Sequence, residues 1–329
     1  MSEIKLQYPE LLKASLEHPY DEGVCFMCAT TLDDSNRTKE HVIPKWIQEK
    51  YDLWEKRLVL LNGTNIKYRQ LTVPCCQKCN SKYSVLEEKI KRAVEIGAGA
   101  VKELPRFLLF QWLTKIFLGI LYKEIFLRSD IKNPKSEPIV DYKYLAKNFS
   151  ILHFWLQTWS KYEIEVFVPG SIFIFETVMG NNVSEQFDFF DNPQHKTLAI
   201  RLGAVGIIGD FLENGIHFES TKDSILPVFE NHAYSPIQFR ELASKIFYKA
   251  YLLEVDTEVR MDIKKDGSLQ CFLKYKIVAG DDNIFHEWHQ REYAQFLSFY
   301  LGVPFEEIFK PPGYVLSWIP WDNENEKNF

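Results

Sequence analysis

Long apolar runs are missing from this chain. The longest candidate, residues 107–127, is interrupted by Gln111, Lys115, Lys123 and Glu124. Nothing approaches the roughly 18–20 residues that a membrane-spanning helix requires. The opening stretch MSEIKLQYPELLKASLEHPYDE contains no apolar segment of signal-peptide type. Glycine and proline number only 15 each, and there is no low-complexity tract or internal repeat, which argues against extended disorder. These absences lead to the expectation of a soluble, cytoplasmic protein with no membrane partner.

Cysteine is also scarce outside one short region. Five of the six fall within residues 25–79, as Cys25, Cys28, Cys75, Cys76 and Cys79, and Cys271 stands alone. In a reducing compartment, cysteines clustered as CxxC pairs are metal ligands more often than disulfides. The net charge of −6 argues at first against nucleic acid. Between Arg37 and Arg92, however, 13 Lys and Arg face 6 Asp and Glu, so a local charge of +7 sits in a chain that is otherwise acidic. Such a basic island suits an anionic partner.

The chain is 329 residues long, 46% hydrophobic and 15% aromatic. That length fits one large domain or two of ordinary size. Residues 5–18 read as a short helix. Residues 24–80 are short and turn-rich, and the Asn62-Gly63 pair predicts a β-hairpin, because Asn-Gly supplies the positive φ values of a tight turn. From Ser81 the apolar spacing of Val85, Leu86, Ile90, Ala93 and Val94 becomes helical. A second helix is expected over 104–126, a polar linker over 130–140 and a third helix over 141–159.

Five strand-like runs follow: EIEVFVP, SIFIFETV, TLAIRL, AVGIIGD and GIHFES. A helix at 236–253, a hairpin turning at Asp266-Gly267 and a helix over 284–301 complete the reading. The expected class is α+β, with a compact N-terminal module over 1–100, a helical connector over 101–135 and an α+β region of unknown role over 136–329.

Cys25-Phe-Met-Cys28 and Cys76-Gln-Lys-Cys79 can together satisfy a tetrahedral zinc ion with bonds of about 2.3 Å. Cys75 could stand in for Cys76, but only Cys76 keeps the two-residue gap. Such an ion would be structural, stapling a small unit with little core of its own. Between the pairs lies EHVIPKW, and Asn80 follows the last cysteine. Glu40 and Asn80 offer the hard oxygen ligands that Mg²⁺ or Mn²⁺ favours. His41 is placed to take a proton from water beside that metal.

The arrangement CxxC…EHVIP…CxxCN resembles the HNH, or ββα-metal, nuclease family over about residues 24–95, and CNSKYSVLEEKI is similar to one of its subgroups. The resemblance implies a zinc-clamped ββα module and a phosphodiester hydrolase. His41 would be the general base, with Glu40 and Asn80 on the catalytic metal. The family's middle asparagine has no counterpart in RQLTVPC; Asn62 and Asn65 lie further back, and either could orient His41. Tyr83 stands near the position where the family often has lysine.

Lys39, Lys45, Lys56, Arg57, Lys67, Arg69, Lys78 and Lys82 are candidates for phosphate contacts, and Trp46, Trp54 and Tyr68 for base stacking. DNA is the expected polymer. At family level the architecture resembles effectors of restriction or anti-phage defence, in which the acidic C-terminal region would meet a protein partner or trigger. The competing reading is a non-catalytic, zinc-held module that binds nucleic acid or protein. His286 and His289, and the glycines Gly203, Gly206 and Gly209, read as packing and turn features.

Overall fold

The computed structural model describes residues 13, 15, 17–133, 135–139, 142–161, 169–213, 215–223, 226–230, 232–253, 255–263, 269–277 and 284–319. Most of the helix expected over 5–18, the run EIEVF and the turn at Asp266-Gly267 lie outside them. The fold is mixed α and β. The chain divides into two compact units: Met1–Arg92, Phe107–Phe167 and Met261–Cys271 form the first, and Ala93–Arg106, Val168–Arg260 and Phe272–Phe329 the second. Residues 101–135, read from the sequence as a connector, are thus shared between the two.

In the first unit, strand β1 (Arg37–His41) pairs antiparallel with β4 (Thr72–Cys76), in a register that sets Glu40 opposite Val73 and His41 opposite Thr72. The chain between them forms helix α1 (Lys45–Lys50) and the hairpin β2 (Arg57–Val59)–β3 (Asn65–Lys67). The hairpin turns through a five-residue loop, 60–64, that contains the expected Asn62-Gly63, but only Gly63 takes a positive φ, +81°, so the connection is longer than a two-residue tight turn. Its loop is tied to one place by Leu61, whose N–H donates to Glu124 at 3.3 Å, and by Asn62, whose Nδ2 donates to the Arg128 carbonyl at 2.8 Å.

Helix α2 (Gln77–Ile96) leaves β4 without a linker. It begins four residues before Ser81, because the CxxC knuckle is itself the first helical turn: the Cys79 N–H donates to Cys76 Sγ at 3.4 Å. Helix α3 (Arg106–Glu124) is buried on almost every face, including Gln111, Thr114 and Lys115, as expected of a helix in the middle of a core. Gly119 lets α3 pass against the residue after His41: a Cβ there would lie 2.8 Å from Val42 Cγ2. Helix α4 (Tyr142–Lys161) closes the unit. Its His153 Nε2 contacts the Phe26 carbonyl at 2.8 Å, and the Tyr83 hydroxyl of α2 donates to the Leu156 carbonyl at 2.9 Å.

The second unit is built on a five-stranded sheet of order β6-β7-β8-β5-β9, formed by β5 (Gly170–Thr177), β6 (Phe187–Asn192), β7 (Thr197–Leu202), β8 (Val205–Phe211) and β9 (Ala233–Tyr234). All neighbours are antiparallel except β5 and β9. Helix α5 (Pro236–Tyr251) starts from a capping box between Ser235 and Gln238 and packs Phe239, Leu242, Ala243 and Ile246 against Phe173, Phe175 and Ile208. Helix α6 (Gln290–Leu301) starts six residues later than expected, after an extended His289.

One sequence expectation is overturned here. GIHFES is not a strand but the helix Ile216–Thr221. Gly215 turns the chain at φ +74°, and the Glu213 carboxylate accepts the N–H groups of Gly215 at 3.1 Å and His217 at 2.8 Å. A side-chain acceptor for otherwise unpaired N–H groups starts a helix, and it outweighs the β preference of Ile and Phe.

Candidate metal centre and functional site

The sulfur atoms of Cys25, Cys28, Cys76 and Cys79 all lie within 4.8 Å of one another. A tetrahedral ion with metal–sulfur bonds near 2.3 Å holds its ligands about 3.8 Å apart, and Cys28 and Cys76 stand at 3.8 Å. Cys75 is buried with its sulfur 4.0 Å from that of Cys25, but it is not part of the mutual set. Hydrogen bonds from Cys28, then Cys75 and Cys79, lower the pKa of Cys25, and the same contacts with Cys25 raise those of Cys75 and Cys79. The four side chains form a cluster able to hold a metal ion.

Glu40 and His41 are consecutive on β1, and strand alternation turns their side chains to opposite faces. His41 is half-buried, its ring stacked on Trp54 at 5.8 Å with 28° between the planes. Burial lowers its pKa, the Glu40 charge opposes that, and Lys45 and Lys115 add to it, so the imidazole is neutral at neutral pH. Asn80 is brought against the same strand: its Nδ2 donates to Thr38 Oγ1 at 3.0 Å and to the Lys39 carbonyl at 3.3 Å. With both amide hydrogens used on β1, Oδ1 is the atom left without a partner among the described residues.

Glu40 is 7% exposed and faces the interior. Its Oε1 accepts from the ammonium of Lys115, on α3, which also donates to Glu87 of α2. Burial alone would lower the Lys115 pKa, but the charges of Glu40 and Glu87 outweigh it and hold the lysine above its ordinary value. Burial pushes Glu87 up to about 7, with Lys115 opposing. Sequence reasoning missed Lys115 and Glu87 as site residues. The usable signal was a lysine at the centre of a helix whose other positions are nearly all apolar.

The other candidates divide. Asn62 and Asn65 are not brought to His41: Asn62 Oδ1 accepts the Thr64 N–H at 2.9 Å, and Asn65 Nδ2 donates to the Gly63 carbonyl at 3.4 Å, so both serve the hairpin turn. Lys39, Lys45, Arg57 and Lys78 are exposed, and Lys45 lies 5.8 Å over the Trp54 ring. Lys67 and Arg69 both pair with Glu55, at 2.5 and 2.8 Å, which neutralises much of their charge. Lys82 is half-buried. Tyr68 is 7% exposed and belongs to the core, whereas Trp54 is 37% exposed.

In the second unit, Asp210, Glu213 and His217 form a buried group that no motif announced. His217 Nδ1 lies 3.0 Å from Asp210 Oδ2. Burial raises Asp210, burial and then Asp210 push Glu213 up to about 8, and burial pulls His217 down to about 4. Comparison of the chain with protein-family models, with curated proteins and with solved structures gave no match. Among the described residues no helix is long and apolar enough to cross a membrane.

Proposed function

We propose that the first unit is a metal-dependent nuclease of the HNH type, hydrolysing phosphodiester bonds in nucleic acid, with DNA the preferred polymer. The observation that carries this reading is the sequence of Glu40 and His41 on β1, to which Asn80 of the first turn of α2 is hydrogen-bonded at Thr38 and Lys39, with four clustered cysteines able to hold a metal ion on the same elements. The cysteines would hold zinc, because four thiolates in a tetrahedral set are its characteristic structural ligands. That ion would fix β4 and the start of α2, and take no part in the chemistry.

Mg²⁺ or Mn²⁺ would draw on the hard oxygens that remain without hydrogen bonds, Glu40 Oε2 and Asn80 Oδ1, and would stabilise charge on the scissile phosphate. His41, neutral through burial, accepts the proton of the attacking water. Lys39, Lys45, Arg57 and Lys78 hold flanking phosphates without regard to sequence, and Trp54 offers a face for a base. The acidic second unit is read as the part that meets a partner or trigger.

One observation favours a second reading. The grip of Lys115 on Glu40 would suit a zinc-held binding module in which Glu40 is purely structural. The test is incubation of the zinc-loaded protein with plasmid DNA and total RNA in Mg²⁺, Mn²⁺ or EDTA. Cleavage that requires the added metal supports the nuclease. Binding that survives EDTA, with no cleavage under any metal, supports the binding module.

A further inference from the structure

The ionic group behind Glu40 is costly and unnecessary for packing. Lys115 is 1% exposed on a helix buried on almost every face, and its ammonium meets two carboxylates, from β1 and α2. Two carboxylates and one ammonium carry an excess negative charge when all are ionised. An apolar side chain of similar volume would stabilise a core at least as well as a buried ion group. The arrangement therefore calls for another explanation.

Both Oε1 atoms bond to one Nζ, so two carboxylates converge on a single cationic atom. Without the lysine, this pair would be a natural inner site for a divalent ion. Lys115 fills it. Glu40 then has one oxygen committed inward, while Oε2 has no hydrogen-bond partner among the described residues.

We infer that Lys115 is a positioning residue, a built-in cation that closes the inner side of Glu40 and confines a divalent metal to the outer side, with Asn80. The inference rests on Glu40 being a metal ligand, as in the proposed nuclease. It has a signature that a merely structural lysine would not give: removing the charge should strengthen metal binding while weakening catalysis. A like charge within a few ångströms typically shifts an equilibrium by about a factor of ten or more, so that is the scale expected when the lysine charge is removed.

The experiment titrates MnCl₂ into the zinc-loaded full chain by calorimetry, for the wild type and Lys115→Met, with DNA cleavage followed in parallel. Lys115→Gln, whose amide can still hydrogen-bond a carboxylate, serves if the methionine variant does not fold. The expected result is Mn²⁺ binding about tenfold or more tighter than wild type, with cleavage reduced at least as much. Restoring Glu87→Gln on top of Lys115→Met should remove the extra affinity. Mn²⁺ binding no tighter than wild type overturns the inference, and so does tighter binding with cleavage intact. If the wild type cleaves nothing under any metal, the nuclease reading fails, and the Mn²⁺ titration still decides the role of Lys115.

Discussion

Replacing Cys76 with serine should unfasten the first unit, and the size of the effect follows from the chain it closes. An ion held by all four cysteines links Cys28 to Cys76 across 48 residues. Treated as a cross-link, a loop of that length removes about 4 kcal/mol of chain entropy from the unfolded state. At about 2–4 °C per kcal/mol for a unit of this size, the melting temperature should fall by roughly 8–16 °C.

The assay pairs metal analysis with thermal unfolding for wild type, Cys76→Ser and Cys75→Ser. Wild type should carry one zinc per chain and lose stability to a strong chelator. Cys76→Ser should carry none and melt low without chelator. Cys75→Ser should keep its zinc, because Cys75 lies outside the mutual set. Zinc retained in Cys76→Ser but lost in Cys75→Ser would refute the assignment. A chelator-insensitive wild type without metal would refute the clamp itself.

Two more perturbations test the packing and electrostatics of the fold. Gly119→Ala places a methyl 2.8 Å from Val42 Cγ2; the strain should cost about 1–3 kcal/mol in unfolding experiments, and the push on the neighbour of His41 should slow cleavage. Glu213, raised to about 8 by burial and Asp210, contributes stability that is complete below its ordinary value of 4.5 and is lost as pH rises through 8. His217, lowered to about 4, acts oppositely and loses its contribution as pH falls below 6.5. Between pH 6.5 and 8 His217 contributes no further change, and urea unfolding of wild type should lose about 2 kcal/mol more than Glu213→Gln over that window; parallel curves would refute a raised Glu213.

Much of the candidate site could be read from local spacing. The two CxxC pairs marked the cysteine cluster, and Asn-Gly marked the hairpin, because each device works within a few residues of chain. What escaped depends on contacts between distant segments. Glu40 meets Lys115 across 75 residues, and no short motif encodes that. Asn62 was legible as a turn residue, but its tie to the Arg128 carbonyl, which leaves it no part at His41, was not. Lys67 and Arg69 count as free charge in the sequence, yet the hairpin returns both to Glu55. GIHFES has strand composition, and only the Glu213 carboxylate in front of it turns it into a helix. Strand β6, with its FDFFDN sequence, escaped notice because its acidic residues interrupt the apolar pattern of a strand.

The central claim concerns His41 as the base of a metal-dependent nuclease. The most direct measurement compares cleavage of plasmid DNA by wild type and His41→Ala, both zinc-loaded and matched in melting temperature, in Mg²⁺ and in EDTA. Metal-dependent cleavage that drops at least a hundredfold in the variant, in line with the loss of a general base, is the predicted result. Equal cleavage by the two proteins would contradict the assignment of His41, and no cleavage by either would contradict the nuclease.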